Sequence, residues 1–304
     1  VAFLHGPCSS SCCRIYERSA AKSRSCLSGW IPCLAGRSAV YSRGSALKPR
    51  KHNMTRTLLI DGDILAYRIA AAVQMPIEWS EDIWSFTGDL KEAKLLFENQ
   101  VTEWMKAAKC KKFKVAYTCN PTFRHEMYPE YKANRRGTPK PLLFRPLVDW
   151  SLGLHDSLYE PGLEADDLLG LSQTKTSVIA SGDKDLKTVP GKHLDLETLE
   201  VVTVSVEDAD RMLFMQALTG DATDGYSGLK GVGPKTAEKL LGDAKTEDEL
   251  WEKVLAAYKD KGCSHNDALM SLRLARILRR GEYNFKTKAI ALWGKKDEQQ
   301  VPVC

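Results

Sequence analysis

Apolar residues along this chain recur in two rhythms. Short apolar runs at 57–60, 113–117, 157–159, 177–180, 193–196 and 201–204 have the length and composition of strands. Over 89–108, Leu95, Leu96, Val101, Trp104, Met105 and Ala108 recur at helical spacing. Further helices are predicted at 64–72, 142–152 and 165–171. Residues 120–141 are rich in Pro, Arg and Tyr and have no clean apolar face, so they read as a loop or a mobile helical segment. Strand alternating with helix indicates an α/β fold with a mostly parallel central sheet flanked by helices. After 206 the pattern is helical only, at 207–218, 234–241, 246–259 and 266–279. It predicts a C-terminal helical subdomain over 207–304 beside a 54–206 α/β domain.

Charge changes the picture. The net +5 of the 304-residue chain is carried by residues 1–53, with nine Lys or Arg against Glu17 alone, a local +8 that leaves −3 for the rest. This segment also holds Cys8, Cys12, Cys13, Cys26 and Cys33 in spacings that make no clean pair of zinc-ligand motifs. It reads as extraneous to the fold: translated sequence upstream of a start at Met54, or an organelle transit peptide, with cytoplasmic placement expected in the first case. Within the body, residues 109–140 carry nine Lys or Arg against Glu126 and Glu130. Most of the compensating acid lies between 156 and 224. No apolar run is long enough to span a membrane.

The acids come in clusters: Asp61 and Asp63, then Glu164, Asp166 and Asp167, then Asp183 and Asp185, then Asp221 and Asp224. Each cluster alone is an ordinary helix start or turn, since acids suit a helix's first turn and Asp suits turns. Asp61, Asp183 and Asp185 directly follow predicted strand ends, and Glu164 follows one by a few residues. In open α/β sheets ligands collect at that edge. Gathered there, so many carboxylates require cations, and oxygen-only donors suit Mg²⁺ or Mn²⁺. Two such ions about 4 Å apart can activate water against a phosphodiester. The histidines are scattered, so no Ser–His–Asp arrangement is legible.

Shortly past the last acid, the run from Gly228 through Lys230, Gly231, Gly233, Pro234, Lys235 and Thr236 to Ala237 resembles the turn of a helix-hairpin-helix unit, placed at about 224–241. Glycines let the backbone approach a phosphate, Pro234 suits a helix's first turn, and the N–H groups exposed there attract anions. Lys230, Lys235 and Lys239 add charge. Such a unit grips duplex backbone without reading sequence.

The ordered set resembles the flap endonuclease and 5′–3′ exonuclease family. It comprises Asp61-Gly62-Asp63, Tyr131-Lys132-Ala133-Asn134-Arg135, Glu164-Ala165-Asp166-Asp167, Ser181-Gly182-Asp183-Lys184-Asp185, Gly220-Asp221 to Asp224, and the glycine turn. The resemblance implies a PIN-like 5′-nuclease fold and a monomeric two-metal nuclease removing DNA 5′ ends and flaps, including at nicked duplex, in replication or repair. RNA in RNA–DNA hybrids is a further implied substrate, and K⁺ a further implied ion at the glycine turn. By that likeness Asp61, Glu164, Asp166 and Asp167 serve one metal, and Asp183, Asp185, Asp221 and Asp224 the other. Lys132 and Arg135 act at the scissile phosphate. Arg124 and Arg136 bind DNA, and Tyr128 and Tyr131 stack on unpaired bases. Many relatives carry one more acid after the second strand. Here that stretch reads Tyr117-Thr118-Cys119-Asn120, with Asp63 as the candidate substitute.

Two other readings compete. Asp61-x-Asp63 after a strand, with Gly220-Asp221-x-x-Asp224, also suits a haloacid-dehalogenase-like phosphatase, which leaves the 164–167 cluster and the glycine turn unexplained. A non-catalytic DNA-structure-binding protein gains nothing from clustered negative charge facing DNA.

Overall fold

The computed structural model describes residues 55–294. The expectations for 1–53 and for the tail from 295 to Cys304 lie outside those residues. The elements in chain order are β1 (Thr57–Asp61), α1 (Gly62–Val73), β2 (Met75–Ser80), β3 (Ile83–Thr87), α2 (Leu90–Ala107), β4 (Lys112–Tyr117), α3 (Phe123–Met127), α4 (Phe144–Leu154), β5 (Ser157–Tyr159), α5 (Ala165–Ser172), β6 (Ser177–Ala180), β7 (Gly191–Leu194), β8 (Val201–Val204), α6 (Val206–Thr219), β9 (Gly220–Asp221), β10 (Tyr226–Ser227), α7 (Pro234–Leu241), α8 (Glu247–Asp260) and α9 (His265–Ala275).

Six strands form one sheet in the order β5-β4-β1-β6-β7-β8, parallel throughout except for β8. The alternation of β1 shows why it is central. Leu58 and Ile60 enter the core under α1, α2 and α4, while Leu59 enters the core under α5 on the other face. Val115 and Tyr117 against Ala116, and Val178 and Ala180 against Ile179, repeat the split on the two flanking strands. A sheet covered by helices on both faces accounts for these nearly continuous apolar strands. A third core joins α6, α7, α8 and α9 through Leu213, Phe214, Leu241, Trp251 and Leu272. No helix among the described residues is long and apolar enough to cross a membrane.

Several boundaries differ from the sequence reading for local reasons. The predicted strand at 193–196 is β7, ending at Leu194, because the Asp195 carboxylate accepts from Glu197 N and Thr198 N and turns the chain. The helix expected from 142 begins at Phe144, since Leu142 N is already donated to Gln74 Oε1. The helix expected to 279 stops at Ala275, because the next residues turn to meet Asp167. The β2–β3 hairpin had no sequence-based expectation. Its apolar residues fall on both faces, and it turns through Asp82 at φ 64 rather than through a glycine. Both strands are mostly exposed, with Trp79 at 70%.

Candidate functional site

The carboxyl ends of β1 and β6, which pair side by side through Ile60 and Ala180, open onto one pocket with the end of β4 and the start of α5. Asp61 closes β1 and caps α1, accepting from Ile64 N at 3.1 Å, while its other oxygen accepts from Ser181 Oγ at 2.8 Å. Asp63, in the first turn of α1, accepts from Thr118 N at 3.0 Å. It therefore stands against the end of β4, beside the stretch in which Cys119 and Asn120 offer no acid. Glu164 caps α5 and Asp166 lies in its first turn. Asp183 caps a 3-10 turn, Lys184–Thr188, by accepting from Asp185 N at 2.9 Å. Asp61, Asp63, Glu164, Asp166, Asp183, Asp185 and Asp224 all line the pocket.

Gly220 brings in the last of these acids. At φ 70 it crosses Gly228 so closely that an added Cβ would lie 2.1 Å from Gly228 N. This crossing permits the β9–β10 ladder that carries the 221–224 loop.

Basic side chains form the opposite wall. Lys132 Nζ lies 2.7 Å from Glu164 Oε1 and 3.6 Å from Asp224 Oδ2, and Arg135 Nη2 lies 2.7 Å from Asp224 Oδ1. Lys132 holds a left-handed backbone at φ 54, fixed by donation of its N–H to Asp224 O at 2.8 Å. A non-glycine residue there stores strain of order 1–3 kcal/mol, which the surrounding contacts must offset. The Tyr131 hydroxyl lies 3.0 Å from Glu164 Oε2 and 2.8 Å from Asp224 Oδ2.

Three expectations are corrected. Asp167 does not face the pocket. It is fully buried and bound two-pronged to Arg124 at 2.7 and 2.8 Å. Arg124, expected on DNA, is 2% exposed and spends its guanidinium inside the protein. Tyr131, expected to stack on bases, has its ring buried in the helical core. Asp221 accepts from Thr223 N and Asp224 N through Oδ1 and so shapes the loop, while its Oδ2 lies 3.9 Å from Lys184 Nζ and its charge acts on Asp185. Tyr128 packs half-buried against the helical core, and Arg136 is exposed with Nη2 donating to Pro129 O. Sequence reasoning missed Thr118 and Gln216 as lining residues, because neither carries charge. The position of Ser181 between a strand end and Asp183 was the available signal for its bond to Asp61.

The electrostatics separate the acids into two groups. Burial works to raise the Glu164 carboxyl, but Arg124 and Lys132 overcome it and hold it low. Burial likewise opposes the Lys132 charge, and Glu164 and Asp224 overcome that and raise its pKa. Asp61 is pushed up to about 7 by burial and by Asp63, and Asp185 to about 7 by burial, Asp183 and Asp221. Asp166 is raised by burial, Asp61 and Asp183. Asp185 Oδ1 is buried without a hydrogen-bond partner. Among the described residues no three acidic, histidine or cysteine side chains already stand in closed ligand geometry around one point. The donor set nonetheless fits hard divalent cations. It is oxygen-only, mutually repelling and partly unsatisfied.

A stability consequence follows from the raised carboxyls. The folded protein retains protons near neutrality that the unfolded chain, with carboxyls near about 4, has released. The stability this contributes is fully present below about pH 4 and is lost as pH rises through about 7. In chelator the Tm is expected to fall between about pH 5 and about pH 8. Mg²⁺ or Mn²⁺ is expected to reverse the fall, because a cation bound only by the folded state replaces those protons. Thermal melts across that range test it, and a flat profile in chelator would contradict it.

The glycine turn stands apart from the pocket, lining none of it. Gly231 has φ 79, and a Cβ added at Gly231 or Gly233 would meet nothing within 4 Å. Pro234 begins α7, Ala237 and Leu241 are buried, and Lys230, Lys235, Thr236 and Lys239 are exposed. The backbone there is open to a large anion.

The family model described as 5′-3′ exonuclease, N-terminal resolvase-like domain, matches residues 56–211. The chain is 31% identical over 278 residues to the exonuclease of Escherichia phage T7, covering 78% of this chain and 92% of that protein. It is 32% identical over 248 residues to DNA polymerase I of Deinococcus radiodurans, covering 72% of this chain and 25% of the polymerase. Among solved structures, the T5 D15 protein co-crystallised with metal ions overlaps with a TM-score of 0.47 at 15% identity, across 72% of this chain and 99% of that one.

Proposed function

This chain belongs to the 5′–3′ exonuclease family, and on that footing we propose that it hydrolyses phosphodiester bonds at DNA 5′ ends and 5′ flaps with divalent metal ions. The observation that carries the reading is one pocket lined by seven carboxylates and faced by Lys132 and Arg135. Asp61, Asp63, Glu164, Asp166, Asp183, Asp185 and Asp224 are the residues that would hold two Mg²⁺ or Mn²⁺ ions. Ions held there supply charge neutralisation and a lowered water pKa beside the scissile phosphate.

The chain's own groups do the rest. Lys132 and Arg135, now paired to Glu164 and Asp224, lie where a phosphate can take their charge once cations neutralise the acids. Donors fixed at developing negative charge stabilise the transition state more than the ground state. Thr118 N orients Asp63, and Ser181 orients Asp61. Lys230, Lys235, Lys239 and the open N–H groups of the glycine turn hold duplex backbone, with Thr236 and Arg136 exposed for further contacts. The reading extends to nicked duplex and RNA–DNA hybrid as substrates, K⁺ at the glycine turn, and a monomer as the active form.

The phosphatase alternative falls away with family membership. Metal-dependent cleavage of a 5′-flap substrate would exclude the non-catalytic alternative. Digestion of a 5′-labelled flap, a nicked duplex and an RNA–DNA hybrid should proceed with Mg²⁺ or Mn²⁺ and stop with chelator. Undiminished cleavage in chelator would sink the proposal.

A further inference from the structure

Arg124, which lines the pocket, and Asp167 behind it are buried charges that the proposed chemistry does not use. The Arg124 guanidinium has five N–H groups, and five bonds take them up. Nε donates to Leu274 O at 3.2 Å. Nη1 donates to Asp167 Oδ2 at 2.7 Å and to Glu164 Oε2 at 3.2 Å. Nη2 donates to Asp167 Oδ1 at 2.8 Å and to Arg276 O at 2.6 Å. No donor is left for a phosphate.

Asp167 is equally committed. Oδ1 accepts from Arg124 and from Leu278 N at 3.1 Å, and Oδ2 from Arg124 and from Glu164 N at 3.2 Å. Its acceptor sites are filled, so it has nothing to give a cation. Burying such a pair is weak evidence for stability, because desolvation offsets much of the attraction. Its connections are more informative. The pair ties four stretches of chain together: the start of α3, the first turn of α5, the end of α9 and the segment after it. Two of its bonds hold Glu164, one at the side chain and one at the backbone N–H. Asp166, one residue before Asp167 in the same helical turn, is thereby aimed into the pocket that Asp167 avoids. On the other side, α9 shares its apolar core with Leu229, Val232 and Ala237 of the glycine turn.

We infer that Arg124 and Asp167 are a positioning pair that sets Glu164 and Asp166 in the acidic pocket and fixes that pocket relative to the helical part carrying the glycine turn. The inference rests on the proposed metal-dependent nuclease reading and goes beyond it. It moves both residues from contact with metal or DNA to control of the groups that make such contacts. A consequence is that losing the pair weakens cation binding and the chemical step while leaving the grip on duplex unchanged.

The test uses Asp167→Asn and Arg124→Lys in the full chain, with the double variant. Asp167→Asn removes the charge and keeps the shape. Arg124→Lys keeps a buried cation that cannot make five bonds, so it serves if the first variant does not fold. Mn²⁺ binding is read directly from the paramagnetic resonance signal of free Mn²⁺, without substrate. Single-turnover cleavage of a 5′ flap and duplex affinity in chelator are read alongside. Each folded single variant is expected to bind Mn²⁺ about 10-fold more weakly and to cleave about 10–100-fold more slowly. Duplex affinity in chelator should stay within about 2-fold. The double variant should be no worse than the worse single one, as residues acting as one unit are non-additive. Folded variants with wild-type Mn²⁺ affinity and rate, or single effects that multiply, overturn the inference and leave the nuclease reading standing. A wild-type chain that binds no Mn²⁺ and cleaves no 5′ end overturns both.

Discussion

Asp166→Asn is expected to lower single-turnover cleavage of a 5′ flap by at least about 10²–10³-fold while leaving duplex binding equal to or tighter than that of the wild type. Asp166 lies in the pocket, and its carboxyl is raised by burial, Asp61 and Asp183. Three acids are held together against their repulsion, and removing one charge relieves it. The variant should accordingly melt higher than the wild type in chelator and lose that advantage when Mg²⁺ is added. Phosphate approaching the pocket meets less negative charge, so ground-state DNA binding does not suffer. Near-wild-type turnover would mean that this cluster is solvated surface charge with no part in the reaction.

Lys132→Ala is expected to cut the single-turnover rate by about 10²–10³-fold, the range for loss of one fixed donor at developing charge, with duplex affinity nearly unchanged. Its Nζ stands between Glu164 and Asp224, and its strained backbone is fixed by Asp224 O. On the proposed reading, a side chain so placed within the pocket would act on the reacting phosphate and not on the distant duplex. Lys235→Glu should do the reverse. It should weaken duplex binding for all sequences and make the salt dependence shallower, since each lost phosphate contact removes about one unit of slope. Should Lys132→Ala change only affinity and Lys235→Glu only rate, the two roles would have to be exchanged.

Much of the site was legible before the fold was known, for a physical reason. A parallel sheet delivers the residues after its strand ends to one edge. The segments 57–60 and 177–180 read as strands followed directly by Asp61 and Asp183, which assigns both acids to that edge. Their pairing as β1 and β6 carries this out. The α5 acids were legible as a helix start next to that edge. The glycine turn was legible because positive φ and an exposed helix N-terminus both constrain residue type, and Gly231 and Pro234 satisfy them. The β2–β3 hairpin was not legible, because its exposed tryptophans follow no one-faced alternation and no core explains them.

Residue type and spacing by themselves determined the α/β class, the strands of the sheet, the gathering of acids at strand ends and the basic stretch 109–140, because each depends on local composition, local periodicity or strand direction. They could not rank acids within a cluster. Asp166 and Asp167 are neighbours in sequence, yet one lines the pocket and the other is locked to Arg124. Which carboxylate meets a guanidinium from forty-three residues away depends on how α3, α5 and α9 pack in three dimensions. The same holds for Tyr131, whose aromatic ring suited base stacking until the helical core claimed it. Burial and partner choice are properties of the assembled core, and there the tertiary structure alone decided which charges are free to act.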